Sequence, residues 1–378
     1  MREAVIVEAV RTPTGKRNGT LASTHPVDLL VPILQKLIQN TGIAPGEVED
    51  ILTGCVTMTG EQGGNIGRMA ALAAGLPVEV PAVSLNRMCG SSQQSLHFAA
   101  QAILAGDIDA AIACGVENMS RVPMGTDLGS FSRSLTNRFN IVPQGISAEM
   151  IAEQWQLSRQ ELDEFALQSH EKAATATRAG AFTREILTLP ISGPQGDTFA
   201  DDEGIRRDTS IEKLAGLKPS FRPDGVVTAG NSSQISDGAA GLLLMSSDKA
   251  HALGIKPRAR VVARAVVGVD PVMMLTGVIP ATRKVLQKAG LSLEQMDIIE
   301  INEAFASVVL AWKKEFEPDM NKVNPRGGAI ALGHPLGASG ARIATTLLHE
   351  LEDFGGRYGL QVMCIGFGMA TATILERL

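Results

Sequence analysis

Asn86-Arg87-Met88-Cys89-Gly90-Ser91-Ser92-Gln93-Gln94 is the stretch on which the reading of this chain turns. It follows an apolar run, Val80 to Leu85, that suits a buried strand. It precedes a run of apolar and small residues, Ser95 to Leu104, that suits a helix. Strand end, tight Gly/Ser bend and helix start is an arrangement that presents a nucleophile. A thiol at position 89 would stand at a helix N-terminus, where unpaired N–H groups and the helix dipole favour the thiolate. The same residues equally suit a small buried hydrophobe that happens to be cysteine; the stretch alone does not choose.

Outward from Cys89, the chain alternates strands and helices. Residues 4–9 read as a strand closed by Arg11-Thr-Pro-Thr-Gly15, and Val27 to Gln39 as a helix stopping near Gly42. Val48 to Val56 gives a buried strand and Asn65 to Ala74 a helix closed by Gly75. After the Cys89 turn and its helix, Asp109 to Cys114 gives a further strand ending at Gly115. Such β-α alternation predicts a sheet covered by helices, the α/β class. From Glu117 to about Ala239 the character changes to Met, Ser, Arg and Asn with a Gly-rich bend near Pro143-Gln-Gly145. One strong helix sits inside it, Ser158 to Ala179, with Ser158 as N-cap and Glu161 completing a capping box. We expect three parts: an N-terminal α/β half over 1–118, an inserted loop and helix domain over 119–239 that carries substrate contacts, and a C-terminal α/β half over 240–378.

The two halves repeat each other. A shift of 248 residues lays Leu37-Ile-Gln-Asn-Thr-Gly42-Ile43 on Val285-Leu-Gln-Lys-Ala-Gly290-Leu291, and Val48-Glu-Asp-Ile51 on Met296-Asp-Ile-Ile299. The same shift lays Asn86-Arg-Met-Cys89-Gly-Ser91 on His334-Pro-Leu-Gly337-Ala-Ser339. A further change of two residues aligns the strand ending at Cys114 with that ending at Cys364. Register held over that length predicts two α/β halves of similar fold. Pseudo-symmetry would then bring Cys89 of one half opposite His334 and Cys364 of the other.

Composition excludes several classes. The 378 residues suffice for two or three domains with large cores. Apolar residues make up 44% and charged residues 20%, the balance of a globular chain. Aromatics are only 4% while Gly numbers 39, so the core is built from small and aliphatic side chains. A net charge of −6 without a basic run argues against nucleic-acid binding. The four cysteines show no CxxC spacing, which suits free thiols in a reducing, cytoplasmic setting. Met1 to Val7 enters a strand at once, so no signal peptide is expected, and no run of 18 apolar residues predicts a membrane span.

Further candidates cluster at strand ends. His334 lies among glycines ahead of a helix start, in Gly327-Gly-Ala-Ile-Ala-Leu-Gly333-His334-Pro-Leu-Gly-Ala-Ser-Gly-Ala-Arg342, a setting poor for core filling. No two histidines are spaced as metal ligands, so no metal is expected. Cys364 ends an apolar strand and leads into Ile365-Gly366-Phe367-Gly368, where glycine lets a backbone N–H approach a ligand. Asn302 follows the strand Met296 to Ile301, at the end where α/β folds place their ligands; a turn former or helix N-cap is an equal reading of it.

Taken in order, Asn86-Arg-Met-Cys89-Gly-Ser-Ser, Val227-Thr-Ala-Gly-Asn-Ser-Ser233-Gln-Ile-Ser-Asp-Gly, Asn302-Glu-Ala-Phe-Ala, Gly-His334-Pro-Leu-Gly-Ala-Ser-Gly-Ala-Arg and Cys364-Ile-Gly366-Phe-Gly resemble the thiolase family. The likeness runs from Ala4 to the C-terminus, and Ser-Ser-Gln-Gln after Cys89 is most similar to degradative 3-ketoacyl-CoA thiolases. The resemblance implies a thiolase fold, two α/β halves stacked as five layers (αβαβα). It implies thiolytic cleavage of a 3-ketoacyl-CoA to acetyl-CoA and a shortened acyl-CoA, with CoA as co-substrate and no cofactor. Cys89 would be the nucleophile that carries the acyl group and His334 its base. Cys364 would be the acid and base at carbon. Asn302, through a water, and His334 would form one oxyanion hole; the N–H groups of Cys89 and Gly366 would form the other. Ser233 would meet the pantetheine arm, Phe221 and Met274 would line the CoA channel, and Arg206 would lie near the nucleotide, although Arg206 and Arg207 equally suit a solvated pair.

Two departures stand out. Relatives often place three successive glycines after this second cysteine and another later; here Phe367 and Ala370 take two of those places. Acetoacetyl-CoA thiolases usually carry His-Met before the Gly-x-[ST]-Ala-Glu run, where this chain has Pro143-Gln144 before Gly145-Ile-Ser-Ala-Glu149. That favours longer or bulkier acyl groups. The rival readings are a biosynthetic acetoacetyl-CoA thiolase and a thiolase-like carrier of acyl-CoA or lipid without turnover. The resemblance also implies a homodimer or homotetramer, with a multifunctional β-oxidation subunit as a possible partner.

Overall fold

The computed structural model describes residues 2–191 and 197–378. In chain order the main elements are β1 (Ala4–Arg11), α1 (Pro26–Thr41), β2 (Asp50–Gly54), α2 (Ile66–Ala73), β3 (Ala82–Leu85), α3 (Ser91–Ala105) and β4 (Ala110–Asn118). There follow α4 (Gln144–Gln154), α5 (Arg159–Arg178), β5 (Ser236–Ser246), β6 (Ala259–Gly268), α6 (Val278–Ala289), β7 (Ile298–Ile301), α7 (Ala306–Phe316), α8 (Ser339–Asp353), β8 (Tyr358–Ile365) and β9 (Met369–Arg377). The strands join in the order β7-β8-β9-β6-β1-β5-β4-β2-β3, with Gly15–Lys16 as a further short strand on β5.

This order is the repeat made visible. Outward from the centre, the first half runs β1, β5, β4, β2, β3 and the second runs β6, β9, β8, β7. In place of a fifth strand, the second half has a parallel bridge from Ile299 to Val323. The halves meet where β1 pairs antiparallel with β6 through Val5–Arg260 and Ile6–Ala259. The helices α3 and α8 each hold 15 residues and start 248 residues apart. Their equivalence follows from sequence register alone.

Burial sorts the layers. Helices α3 and α8 pack on each other between the two half-sheets, with a core of Leu96, Ala99, Ile103, Ala344, Leu347 and Leu351 among others. Helices α1 and α2 cover the far face of the first half, and α6 and α7 that of the second. The result is the expected five layers, helix-sheet-helix-sheet-helix. All of β4 and β5 is buried because both faces are covered, which is why their central stretches, Ala110–Val116 and Gly238–Met245, read as unbroken small and apolar runs. The close approach of α3 and α8 requires glycine at position 340: a Cβ there would come within 2.4 Å of the Gln93 backbone nitrogen. Two polar residues of the opening motif serve this seam. Ala341 N–H donates to Ser92 Oγ (2.8 Å), and Gln93 bonds Thr373 and Thr371 of β9, each at 2.7 Å.

Two local expectations change. The strand read as ending at Cys114 continues to Asn118, because Gly115 to Asn118 stay paired with β5. The boundary drawn between residues 239 and 240 falls inside β5, which is paired along its length with β1 and β4 of the first half. The Leu-rich stretch after Gly241 thus closes the first half; it does not open the second. Within the intervening segment the capping box at Ser158 and Glu161 is formed as read, and α5 ends at Arg178.

Candidate active site

The turn after β3 is held by its own polar side chains. Asn86 Nδ2 donates to Val56 O (2.8 Å) while its Oδ1 accepts from Met88 N–H (2.7 Å). Ser91 Oγ accepts from Arg87 N–H (2.9 Å) and donates to Met88 O (2.6 Å). Met88 is forced to φ +46, a left-handed conformation unusual for a non-glycine residue and common where backbone strain serves a site. Cys89 follows, 4% exposed, just ahead of α3.

Around it the structure brings together four of the other predicted residues. The Cys89 thiol receives backbone N–H groups from Cys89 itself and from Gly366, and Cys364 lies close enough to oppose its ionisation. Asn302, at the end of β7, points its Nδ2 at His334 Nε2 (3.5 Å) and at Cys364 Sγ (3.8 Å). Its Oδ1 is buried without a protein partner among the described residues. His334 Nδ1 lies 2.6 Å from Ser339 Oγ, which donates its only proton to Pro335 O at 2.7 Å. The hydroxyl must therefore accept from Nδ1–H, which leaves Nε2 as the bare nitrogen facing Asn302.

Electrostatics revise one expectation. Burial pushes the Cys89 thiol up to about 12, with Cys364 adding to the rise, and this outweighs the N–H groups that favour the thiolate. Burial likewise pushes His334 down to about 3, with Arg342 as the smaller cause, and lifts Cys364 to about 11. The resting site is thus thiol, neutral imidazole and thiol. The helix N-terminus does not by itself ionise Cys89.

The expected CoA contacts are more scattered. Ser233 N–H donates to Ala304 O (2.9 Å), which lays its segment beside Asn302 to Phe305. Phe221 packs edge-to-face on Phe305 at 5.9 Å and covers Gly145. Arg206 lies elsewhere, in a cleft of about 390 Å³ lined also by His170, Arg178 and Arg207. Met274 is 2% exposed, within the core of the second half, and offers no open wall.

Two residues escaped the sequence reading. Ser339 sets the His334 tautomer, yet it looked like one more small residue of a Gly-rich run. Glu117 is a buried carboxylate that accepts from Val56 N–H (2.9 Å), Thr57 N–H (3.0 Å), Gln62 Nε2 (2.7 Å) and Gly337 N–H (2.8 Å). It ties the His334 loop to the loop after β2. An acid at the end of the otherwise apolar Ala110-Ala-Ile-Ala-Cys-Gly-Val116 was the signal that could have found it. All four cysteines are free and buried, and among the described residues no group of His, Cys, Asp or Glu is placed to hold a metal. No described helix is long and apolar enough to cross a membrane.

Two half-sheets of one topology, with two thiols, an imidazole and a carboxamide meeting at their seam, define a thiolase. The chain matches the thiolase N-terminal domain over residues 4–248 and the thiolase C-terminal domain over 255–377, and it belongs to that family. It is 50% identical to a steroid 3-ketoacyl-CoA thiolase of Mycobacterium tuberculosis, over all of this chain and 95% of that protein. It is 44% identical to the 3-oxoadipyl-CoA/3-oxo-5,6-dehydrosuberyl-CoA thiolase of Escherichia coli, over the whole of both. Among solved structures, a Bacillus anthracis acetyl-CoA acetyltransferase superposes with a TM-score of 0.93 at 40% identity, covering 100% of this chain and 99% of that one.

Proposed function

We propose that this chain is a degradative acyltransferase that cleaves 3-ketoacyl-CoA with CoA, giving acetyl-CoA and an acyl-CoA two carbons shorter. The observation that carries the mechanism is the Asn302 carboxamide between His334 and Cys364, with Cys89 beneath the Gly366 N–H. Names of the relatives support the direction of the reaction, since several are called 3-ketoacyl-CoA thiolase.

In this reading His334 Nε2 takes the Cys89 proton as the sulfur attacks the C3 carbonyl. The oxyanion on C3 is met by the N–H groups of Cys89 and Gly366. Collapse breaks the C2–C3 bond and leaves its electron pair on C2 as the enolate of acetyl-CoA. The enolate oxygen is met by His334 and a water on Asn302, whose unpartnered Oδ1 supports a bound donor there. Cys364 gives its proton to C2 and becomes a thiolate. That thiolate takes the proton of incoming CoA, whose sulfur attacks the acyl carbonyl. Cys89 leaves and recovers its proton from His334. Each oxyanion donor would contribute about 3–4 kcal/mol to lowering the barrier. Keeping all three titrating groups neutral at rest avoids burying unpaired charge before substrate arrives.

The CoA contacts belong to the same proposal. Ser233 meets the pantetheine arm and Phe221 flanks it, with Met274 as packing behind the channel. Arg206, with Arg178 and Arg207 in one cleft, takes phosphate groups of the nucleotide. The working unit is at least a dimer. Strand β3 lies at the open edge of the sheet, and Val83, Met69, Leu72, Val78 and Phe98 expose apolar surface. A second copy of this edge suits that face, and light scattering tests it. A reducing, cytoplasmic setting suits the four unpaired thiols.

Incubation with a mixed pool of 3-ketoacyl-CoA thioesters, followed by mass spectrometry of the Cys89 peptide, tests the reaction. The expected result is an acyl adduct on Cys89 that CoA removes. No adduct, or thiolysis surviving in Cys89→Ser, overturns the assignment.

A further inference from the structure

We propose that Gln144 reads an oxygen on the acyl group, so that this enzyme prefers oxygen-bearing 3-ketoacyl-CoA thioesters over plain alkyl ones. The inference rests on the thiolase reading and narrows its substrate class.

Gln144 is the first residue of α4, and its carboxamide lies over Gly366: a Cβ built on that glycine would stand 2.8 Å from Gln144 Nε2. Gly366 is the residue whose N–H reaches the Cys89 sulfur. A two-proton donor thus sits beside the sulfur that would carry the acyl group, and it donates to no described group. A partly enclosed amide next to a reacting carbonyl is costly to leave unpaired once substrate displaces water. It therefore favours a substrate that supplies an acceptor and disfavours one that supplies only methylenes.

The backbone beside Gly366 is itself unusual. Phe367 adopts φ +58, a left-handed conformation disfavoured for a bulky aromatic residue, between Gly366 and Gly368. Its ring packs edge-to-face on Phe131 at 5.8 Å, and Phe131 lies in the exposed stretch between β4 and α4. In this proposal the ring pair, next in sequence to Gly366, would flank the acyl group and limit the ways a chain can pass. An aromatic side chain held in left-handed backbone next to the oxyanion donor is strain kept where it shapes a site. The acceptor that fits is a keto, hydroxyl or carboxylate oxygen a few bonds beyond the acyl carbonyl.

The test compares thiolysis of two six-carbon substrates, 3-ketohexanoyl-CoA and 3-oxoadipyl-CoA, with acetoacetyl-CoA as a control for turnover. In the unaltered enzyme the ratio of kcat/KM, oxygenated over alkyl, is expected to be about tenfold or more. Gln144→Met, similar in volume but with no donor, is expected to lower that ratio about tenfold, and Gln144→Glu to lower it further for the carboxylate. A Phe367→Gly variant is expected to lower the ratio by loosening the wall, with the purified protein still folded by circular dichroism. A preference of the unaltered enzyme for the alkyl substrate, or an unchanged ratio in Gln144→Met, overturns the proposal. Turnover of none of the three substrates would instead refute the thiolase reading on which it rests.

Discussion

Asn302 Nδ2 stands 3.5 Å from His334 Nε2, and the same amide group stands 3.8 Å from Cys364 Sγ. One carboxamide from the end of β7 therefore links the imidazole that would activate Cys89 to the thiol that would protonate carbon. Because Ser339 holds the proton of His334 on Nδ1, the group facing Asn302 is a lone pair. Replacing Asn302 with alanine removes an enolate-side donor and leaves the CoA contacts alone. The expected outcome is a fall in kcat of roughly 100- to 1,000-fold with little change in KM. A matching rise in KM, seen in steady-state thiolysis, would place Asn302 in substrate binding instead.

The two thiols separate by half-reaction. In the proposed mechanism, acylation of Cys89 by a simple thioester would need only His334, whereas carbon–carbon cleavage would also need Cys364. Cys364→Ala is expected to lose thiolysis by several orders of magnitude while still forming acetyl-Cys89 from acetyl-CoA. Intact-protein mass spectrometry reads the adduct, and its absence would mean that Cys364 acts in both steps.

Free Cys89 is protonated near neutrality, with its thiol pushed up to about 12 and His334 pushed down to about 3. The thiolate fraction then grows with pH and does not saturate in the neutral range. Alkylation of Cys89 by iodoacetamide, followed by peptide mass spectrometry, is expected to rise about tenfold per pH unit from 7 to 9. A plateau below pH 8 would show a resting thiolate–imidazolium pair.

Acid should destabilise the fold through its buried imidazoles. His97 of α3 bonds Thr373 Oγ1 at 2.8 Å, and burial holds it down to about 3, with Arg264, Arg87 and Lys288 as smaller causes. Its folded pKa lies below that of the unfolded chain, so the unfolded state binds the extra proton. Stability is full above pH 6.5 and falls as pH drops from 6.5 towards 3, by about 1.4 kcal/mol per pH unit for this group. His97→Gln, which keeps a donor for Thr373, is expected to flatten the decline of Tm between pH 6.5 and 4.5. An unchanged decline would assign the acid sensitivity to other groups.

Several features were legible because they are local or periodic. The alternation of elements, the capping box at Ser158 and the 248-residue register each depend on neighbours in sequence, and α3 and α8 begin and end where that register requires. The boundary drawn at 239/240 cuts β5, whose central run is small and apolar on both faces, so its pattern says that it is buried but not in which half. Met274 was placed on the CoA channel by the family resemblance alone, and no local pattern records that it packs at 2% exposure in the core of the second half.

The amino-acid sequence by itself determined the class of the fold, its internal repeat, and the groups proposed to carry the chemistry, because motif residues and hydrophobic periods are written along the chain. Only the tertiary structure decided their state. Burial at the seam between the half-sheets sets the protonation of Cys89, His334 and Cys364, and burial is a property of packing from both halves at once. Folding likewise laid Gln144 over Gly366 and Phe131 against Phe367, pairs more than 200 residues apart whose meeting no local pattern records. Cys89, which the turn alone left open between filler and nucleophile, takes its surroundings from both halves of the molecule.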